Sequence, residues 1–537
     1  MSTTHTPTGW NTWDFAGFNR LVYLRRGETV VTVEFAVWDE AVPARVPPPD
    51  PEHRKIGKLY SQFRWEDVVR LGPHAPLGLP SRLEFRAGEV RYTAEATERD
   101  GTLDLQVRPD RATAQRVVFR LLTPVGAALV RKTATRGTFA GCEIRLRGAT
   151  WPTKYFVNIA EPYAVGAAGR PAAIRVRPAG ARAGAAPGTF AALERQALAG
   201  EGALADAPGA MMQAICWNTL FDTRRRLVSS PVSRDWCSDW RGVLVFCWDT
   251  YLVATFMSYE APELSRLNIE AVTAAIAELG FVPNYYMAHG AASRDRSMPP
   301  LGTYLVWKLF VAANGLATAR STHGVAARGR GHSRKPRKTV FDRAWLASLY
   351  PLFVRWHGYW LKNRAGAGTG LLSWGSNPVH YEFPQLVPYN QILQHTRQSA
   401  MYESGLDNSP LFDEAAFDAE RNCLTLEDVM LSSLYAMDCE ALAHMAAHLG
   451  RRQDAARLRR EYGRIAELIN ERLWDEHHGL YVNRHWPNAE GPLAGRYSSR
   501  WAPTSFFPMI AGVATPARAA RMVREHLLNP QEFWGTW

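Results

Sequence analysis

Cysteine is scarce in this chain of 537 residues, and the six cysteines are scattered along it. No two of them form a C-x-x-C pair, so their spacing predicts neither a disulfide framework nor a zinc site. No apolar run reaches the roughly 18–20 residues that a membrane-spanning helix needs, so we expect no membrane partner. The first residues contain neither a basic nor an apolar segment, which indicates no signal peptide and favours a cytoplasmic location.

Several catalytic motifs are missing as well. The sequence contains no G-x-x-x-x-G-K-[ST], no H-E-x-x-H and no G-x-S-x-G, and no G-x-G-x-x-G lies between a predicted strand and a predicted helix. These absences argue against P-loop nucleotide binding, zincin-type proteolysis, α/β-hydrolase chemistry and dinucleotide binding.

Positive charge is present but local. The chain has a net charge of +12, and the segment 320–338 accounts for seven of these charges because it contains seven Lys or Arg and no acid. A dedicated nucleic-acid binder tends to be basic over a whole face, so we do not expect nucleic acid as a main partner. The segment is interpreted as a solvated, disordered loop, with a polyanion contact or an inserted sequence as alternatives.

Tryptophan is the residue in surplus, with 19 copies. Its indole N–H must find a partner when the ring is buried, so it is an expensive core filler. A surplus is consistent with flat apolar faces that line a cleft for sugars. A large aromatic core explains the same count, and both interpretations stay open.

The first part of the chain has the period of β-strands. Val31, Val33, Phe35 and Val37 alternate with polar positions, later runs do the same, and Asp100-Gly101 is a hairpin signal. Short alternating runs between turn residues predict an antiparallel β-sandwich over 1–177. The aperiodic, Ala- and Gly-rich segment that follows predicts a linker over 178–204.

From 205 to 537 the period is that of helices. About nine amphipathic segments follow one another through short connections, which is typical of antiparallel helical hairpins. Long stretches rich in Trp, Tyr, Asp, Asn and Pro lie between them at 227–247, 281–299 and 365–412. Loops of that length inside a compact domain are usually functional, so we predict an α/α toroid with the functional loops at one end.

Three segments could supply the chemistry. The first is MYESGLDNSPLFD at 401–413, in which Glu403 and Asp407 lie four residues apart. Carboxyl groups in a Trp-lined cleft suit glycoside hydrolysis, where one protonates the leaving oxygen and another activates water or attacks the sugar. A capping or turn motif would explain the same spacing.

The other two segments place charges beside turns and helix starts. Asp295-Arg296 precedes Ser-Met-Pro-Pro, and the Arg fork could bind sugar hydroxyls or hold a carboxylate, or simply form a structural ion pair. Trp248-Asp249 opens a helix, where a carboxylate suits the helix dipole and could equally be a plain cap. The combination of all three segments favours a functional cleft.

Together these segments resemble glycoside hydrolase family 63, whose members have an (α/α)6 barrel and invert the anomeric centre. The resemblance covers about 205–537, and ESGLDNSP looks especially like members that act on mannosylglycerate or glucosylglycerate. The matching segments are WDTY at 248–251, PN at 283–284, DRSMPP at 295–300, ESGLDNSP at 403–410, LWDEHHGLY at 473–481, APTSFFPMIAGVAT and FWGTW.

The resemblance implies roles for individual residues. Asp407 matches the general acid, so its pKa should be raised by burial or by a nearby carboxylate such as that of Glu403. Asn408 would orient Asp407 or a sugar hydroxyl. The other residues implied in substrate binding are Trp248, Asp249, Asp295, Arg296, Trp374 and Glu403.

The chain departs from the family pattern in two places. The segment 320–338 looks inserted. The family's general base is a Glu after the last helices of the barrel, whereas this chain ends at Trp537 with about nine of the twelve helices. The resemblance therefore implies an incomplete barrel that lacks its C-terminal part. Glu403 could replace the base in a retaining mechanism if the two carboxyl groups lie about 5 Å apart, whereas inversion requires about 6.5–9.5 Å.

We therefore expect an inverting O-glycosyl hydrolase that acts on small α-glucosides or α-mannosides and needs no cofactor and no metal. One alternative is a sugar-binding remnant without catalysis, because the general base is missing. The other is a polyanion or nucleic-acid contact through 320–338. The sequence does not predict an oligomeric state.

Overall fold

A computed structural model of the chain divides it into two compact units, Met1–Leu244 and Val245–Trp537. The described residues are 9–11, 19–24, 30–43, 57–60, 67–75, 78–99, 101–123, 126–152, 162–179, 190, 202–222, 227–231, 244–287, 291–316, 339–380 and 394–532. The basic segment 320–338 and the motif FWGTW lie outside them, as do nearly all of the predicted linker and part of the segment before Trp248.

The N-terminal unit consists mainly of strands, as the alternation predicts. They are β1 (Gly9–Asn11), β2 (Asn19–Leu24), β3 (Val30–Pro43), β4 (Gly57–Tyr60), β5 (Val68–Ala75), β6 (Gly78–Ala87), β7 (Val90–Arg99), β8 (Thr102–Pro109), β9 (Arg116–Leu122), β10 (Val130–Thr133), β11 (Arg136–Phe139), β12 (Cys142–Arg147), β13 (Ala149–Thr150), β14 (Tyr163–Gly166) and β15 (Ala172–Pro178).

These strands form two antiparallel sheets. One has the order β1-β2-β3-β9-β14-β13, with β4 paired to β3, and the other has the order β10-β11-β12-β15-β8-β7-β6-β5. The inward side chains of both sheets belong to one apolar cluster, in which Val33 and Phe35 of one sheet meet Phe85 and Leu105 of the other. The predicted hairpin is present, because Arg99 pairs with Thr102.

A helix after the sandwich moves the boundary between the units away from the predicted position. Helix α1 (Ala207–Asn218) was expected to begin the helical domain at 205. Instead, Trp217 joins the apolar cluster of the sandwich and its Nε1–H donates to the carbonyl of Gly72 at 2.8 Å. The division therefore falls after Leu244, because α1 packs against the sheet rather than against other helices. The short strands β16 (Leu220–Asp222) and β17 (Leu227–Ser229) follow α1 and pair with each other.

The C-terminal unit contains ten α-helices among its described residues. They are α2 (Cys247–Met257), α3 (Pro262–Thr273), α4 (Ala275–Leu279), α5 (Gly302–Asn314), α6 (Arg343–Arg364), α7 (Arg397–Glu403), α8 (Val429–His448), α9 (Arg452–Arg472), α10 (Phe507–Ile510) and α11 (Pro516–Met522). Short two-stranded pairings join the loops; their strands are β18 (Leu244–Phe246), β19 (Tyr285–Met287), β20 (Phe417–Asp418), β21 (Cys423–Leu424), β22 (Leu426–Glu427), β23 (Trp474–Asp475), β24 (Leu480–Tyr481) and β25 (Arg484–His485).

Helix α8 is the centre of this unit. It is buried over most of its length and packs against α5, α6, α9 and α10. Its N-cap is Asp428, whose side chain accepts from Leu431 N at 2.8 Å, and Gly450 ends it with a left-handed φ of 82°. Helix α9 is amphipathic and buries only Ala455, Leu458, Ile465 and Ile469.

The helical period predicts this unit well. The period predicts helices near 205–225, 247–260, 262–279, 300–313, 342–363, 503–513 and 515–528, and two more around Met430–Met445 and Leu458–Leu473. Each of these segments contains a described helix, and the short α7 is not among the predicted ones. The fold is a β-sheet unit followed by a helical unit, and closure of the helices into a barrel stays a prediction. No helix among the described residues is long and apolar enough to cross a membrane.

Candidate active site

Three loops of the helical unit meet at Asn284. Its carbonyl accepts from Cys247 N at the start of α2, at 3.1 Å. Its own N–H donates to the carbonyl of Arg296 at 3.2 Å, and its Nδ2 donates to the carbonyl of Tyr402 at 3.0 Å. A single amide residue therefore fixes α2, the 291–301 loop and the end of α7 against one another.

Trp248 lies against the loop that carries Asp407. Gly405 has φ +70°, and a Cβ built on it would lie 2.6 Å from Cζ2 of the Trp248 ring. Only glycine combines this left-handed backbone with so close an approach. The first turn of α2 and the loop 404–409 are therefore direct neighbours, as the combined motifs predict.

Asp407 and Asp249 are the two accessible carboxylic acids of this site. Asp407 is exposed and Asp249 is half-buried. Desolvation by the surrounding protein raises the pKa of Asp407, while the positive charge of Arg296 opposes that rise. Burial also raises the pKa of Asp249, and the charge of Asp407 adds to the effect. An accessible carboxyl group surrounded by protein is what a cleft wall provides.

Glu403 is not part of the accessible surface, which corrects its predicted role as a substrate contact. It is fully buried and forms an ion pair with the equally buried Arg364, with Nε donating at 2.5 Å and Nη2 at 2.9 Å. It also accepts from Ser297 N at 2.9 Å, Tyr359 Oη at 3.1 Å and Gly375 N at 2.8 Å. Of the two causes expected for a raised pKa of Asp407, burial and a nearby carboxylate such as Glu403, desolvation by burial is the main one, and Glu403 is not among the causes.

Asp295 and Arg296 form a buried ion pair, which is the structural alternative for this dipeptide. Arg296 Nη1 donates to Asp295 Oδ2 at 2.7 Å, and both side chains are inaccessible to solvent. Ser376 Oγ donates to the same oxygen at 2.6 Å, and the guanidinium lies 5.2 Å from the ring centroid of Tyr402. Both residues thus lie beneath the surface of the site, and Arg296 acts on Asp407 through its charge.

Trp374 supports the site from inside. Its side chain is only 1% exposed and its ring meets that of Trp360 edge-on, with centroids 6.2 Å apart. The next residue, Gly375, donates its N–H to Glu403. A ring buried in this way offers no face on which a sugar could stack. Trp374 was predicted to line the pocket, and the structure instead places it behind the accessible residues of the site.

The eight predicted site residues therefore form two layers. Trp248, Asp249, Asp407 and Asn408 have accessible surface, whereas Asp295, Arg296, Trp374 and Glu403 are buried behind them. Asn284 was not predicted to organise the site, although it belongs to the motif PN at 283–284, and Arg364 and Tyr359 on α6 were not predicted either. The last two belong to no motif, and the only available signal was that a buried Glu requires a cation.

Two accessible carboxylic acids beside a tryptophan are compatible with glycoside hydrolysis, which canonically uses a pair of carboxyl groups. The model of one glycoside hydrolase family matches residues 245–537, more than half of the chain. The chain belongs to this family, the mannosylglycerate hydrolase MGH1-like glycoside hydrolase domains. The resemblance to family 63 that the motifs predicted is thereby confirmed.

Solved structures show weaker similarity. The GH63 mannosylglycerate hydrolase from Thermus thermophilus in complex with glucose has 14% identity and a TM-score of 0.41, covering 59% of this chain and 75% of that one. Neutral trehalase Nth1 from Saccharomyces cerevisiae has 17% identity and a TM-score of 0.38, covering 52% of each chain. A bacterial glucoamylase complexed with acarbose has 8% identity and a TM-score of 0.37, covering 98% of this chain and 80% of that one.

Proposed function

We propose that this chain is an inverting α-glycoside hydrolase in which Asp407 is the general acid. One observation carries the proposal: Asp407 is exposed, yet its surroundings raise the pKa of its carboxyl group by desolvation. A general acid must hold its proton near the working pH and still reach the substrate; the raised pKa of Asp407 is a shift in the direction that this role requires, and its exposure leaves it within reach of a substrate.

The chemistry would proceed at the bond between the sugar and its leaving oxygen. Asp407 gives its proton to that oxygen while the bond from the anomeric carbon breaks. A water molecule attacks the opposite face of the sugar and loses a proton to a second carboxylate, so the configuration inverts. The pKa of Asp407 is raised by desolvation and held back by Arg296, and this balance tunes a carboxyl group that must be reprotonated in every cycle.

The accessible neighbours of Asp407 would bind the sugar. The half-buried ring of Trp248 offers an apolar face on which a sugar could stack. Asp249 would accept hydrogen bonds from sugar hydroxyls, and Asn408 would orient Asp407 or a hydroxyl. The buried ion pairs behind them would hold these groups in place without touching the substrate.

Small α-glucosides or α-mannosides are the proposed substrates, with mannosylglycerate and glucosylglycerate foremost. Support comes from the motif ESGLDNSP at 403–410 and from the family to which the chain belongs.

The decisive variant is Asp407→Asn, assayed on two kinds of substrate. Mannosylglycerate and glucosylglycerate have poor leaving groups and need an acid, so kcat should fall by about 10²–10⁴-fold. An α-glycosyl fluoride needs little protonation, so its turnover should fall far less. Asp413→Asn, an exposed carboxyl on the same loop, is the matched control and should keep the wild-type rate on both substrates.

Proton NMR of the first product from wild type should show the β-anomer of the released sugar. Full turnover of O-glycosides by Asp407→Asn would refute the assignment of the acid, and the α-anomer as first product would refute inversion. Saturable sugar binding without any turnover by wild type would favour the non-catalytic alternative.

A further inference from the structure

A second group of buried ionisable side chains lies away from the candidate active site, between three helices. His357 of α6, Cys439 of α8 and Glu461 of α9 each offer one ligand atom, and these three atoms lie within 4.8 Å of one another. His357 and Cys439 are buried, and Glu461 is half-buried. None of the three belongs to a motif of the glycosidase site.

The distances in this group are close to those of a tetrahedral metal centre. His357 Nε2 lies 3.8 Å from Cys439 Sγ and 3.6 Å from Glu461 Oε1. Zinc bonds of about 2.0 Å to nitrogen or oxygen and about 2.3 Å to sulfur, at tetrahedral angles, place nitrogen about 3.6 Å from sulfur and about 3.3 Å from oxygen. The two distances from His357 Nε2 therefore have to shorten by about 0.2–0.3 Å. The third, between Cys439 Sγ and the Glu461 carboxylate, is at most 4.8 Å, so closing the site around an ion requires these two side chains to rotate toward each other.

The other ring nitrogen of His357 has the partner that metal-bound histidines usually have. Nδ1 lies 2.5 Å from Oδ2 of the buried Asp438. A carboxylate at this position holds the proton on Nδ1 and leaves the Nε2 lone pair directed at the remaining ligands. The ring of Tyr435 stacks on the imidazole at 4.5 Å with an interplanar angle of 10° and fixes its plane, while the Tyr435 hydroxyl donates to Glu461.

We propose that His357, Cys439 and Glu461 bind one divalent transition-metal ion of the zinc type, which joins α6, α8 and α9. Nitrogen, thiolate and carboxylate together suit zinc or a metal of similar softness, whereas calcium and magnesium prefer oxygen ligands alone. Three protein ligands leave a fourth position for water or for the Tyr435 hydroxyl. The site is independent of the proposed glycosidase activity, because it shares no residue with it.

The alternative is a metal-free hydrogen-bond network. Although burial opposes the charged imidazole, contacts with Asp438, Cys439 and Glu461 raise the pKa of His357 well above its usual range, as in an imidazolium between two carboxylates. Burial also raises the pKa of the Cys439 thiol, so a metal would have to displace both protons. A direct test for a metal–thiolate bond separates the two arrangements.

The test uses the full chain, stripped of metal with a chelator and titrated with Co²⁺. A bound thiolate gives a sulfur-to-cobalt charge-transfer band in the near ultraviolet, and tetrahedral geometry gives strong visible bands. We expect both to saturate at about one equivalent and to disappear when Zn²⁺ is added. Cys439→Ala should abolish the charge-transfer band. Cys216→Ala removes an equally buried thiol of α1 and should leave the band unchanged.

Absence of the charge-transfer band in wild type would overturn the proposal without any variant. A full band in Cys439→Ala would overturn it as well, because the metal would then lie elsewhere. If Cys439→Ala does not fold, His357→Gln replaces it, and loss of the visible bands in a folded variant supports the site. A zinc-dependent rise in the melting temperature of wild type, absent in that variant, would add support.

Discussion

The interiors of the two units differ in the kinds of side chains that they bury. The sandwich core is one apolar cluster, and its buried charges are few, the clearest being the ion pair of Glu34 with Arg120. The helical unit buries two ion pairs side by side, Glu403 with Arg364 and Asp295 with Arg296. We relate this difference to function. The strand unit, as a scaffold, needs only apolar packing, whereas the helical unit carries the candidate active site and needs polar groups in fixed positions.

The two buried ion pairs behind the candidate active site form one connected network. Arg364 Nη2 donates to the carbonyl of Asp295 at 3.3 Å, which links the two ion pairs. Backbone N–H groups of the loops at Ser297 and Gly375 donate to Glu403. A buried charge destabilises a fold unless it is paired and hydrogen-bonded. Here the pairing has a second consequence, because it holds the loops behind Asp407 in one conformation.

The largest effect on stability should come from Glu403→Gln. Removing the negative charge leaves the guanidinium of Arg364 buried without its counter-ion, and breaking such a pair costs about 3–5 kcal/mol of unfolding free energy. Urea unfolding, followed by tryptophan fluorescence, measures the change. Glu278→Gln removes an exposed partner of Arg294 and is the control, expected to cost less than about 1 kcal/mol. Equal costs for the two variants would contradict the comparison between paired interior charges and surface ones.

The next largest effect should follow Gly405→Ala. The new Cβ would lie 2.6 Å from the Trp248 ring at φ +70°, so strain and overpacking together should cost about 1–3 kcal/mol. Displacement of Trp248 should also lower kcat/KM on the glycoside substrates. Gly450→Ala isolates the backbone contribution, because Gly450 has φ +82° and nothing within 4 Å of its Cβ position. Equal losses of stability and of kcat/KM in the two variants would show that the contact between residue 405 and Trp248 contributes nothing.

Periodicity predicted most of the fold, and local motifs predicted that the first turn of α2 and the loop 404–409 lie together. The alternation of Val31, Val33, Phe35 and Val37 identified an inward face, and all four are buried. The motifs placed Trp248 and Asp407 in one cleft because both kinds of residue are typical of sugar sites. Such signals depend only on residues that are close together in the sequence, so they can be recognised without a three-dimensional structure.

The sequence could not reveal features that depend on packing between residues far apart along the chain. Trp217 is helical by pattern, and only its packing on the sheet assigns α1 to the sandwich. Glu403 and Arg364 are 39 residues apart, so no spacing rule connects them. Glu403 was predicted to contact the substrate because it lies four residues from Asp407 in the motif ESGLDNSP. His357 and Cys439 are likewise separated by 82 residues, so cysteine spacing could not indicate the metal site that we propose.

A smaller effect is expected from Ile174→Val in the sandwich. Ile174 is 1% exposed within the apolar cluster, so the change removes one methylene and leaves no charge unpaired. The expected cost is about 0.5–1.5 kcal/mol, with kcat/KM on glycosides unchanged. Urea unfolding and the glycosidase assay together measure this, and a loss of activity at unchanged stability would contradict the role of the sandwich as a scaffold.

The smallest effect has the opposite sign. Desolvation raises the pKa of Asp407 in the folded chain, so the folded state holds this proton more tightly than the unfolded state. Below the unfolded pKa of about 3.9 both states are protonated and the group is neutral to stability. As the pH rises through the interval between the unfolded and folded pKa values, the folded state loses stability relative to the unfolded state.

Asp407→Asn should therefore be more stable than wild type at pH 7, by no more than about 1 kcal/mol because the group is accessible, and the advantage should vanish near pH 3. The variant also removes a charge that raises the pKa of Asp249, which adds to the gain. Urea unfolding of both proteins between pH 3 and pH 7 measures it, with Asp413→Asn as the control on the same loop. A destabilised Asp407→Asn at pH 7 would mean that Asp407 is a structural carboxylate like Glu403. A stabilised and inactive variant would separate the accessible layer of the site, which reduces stability for function, from the buried layer that holds it.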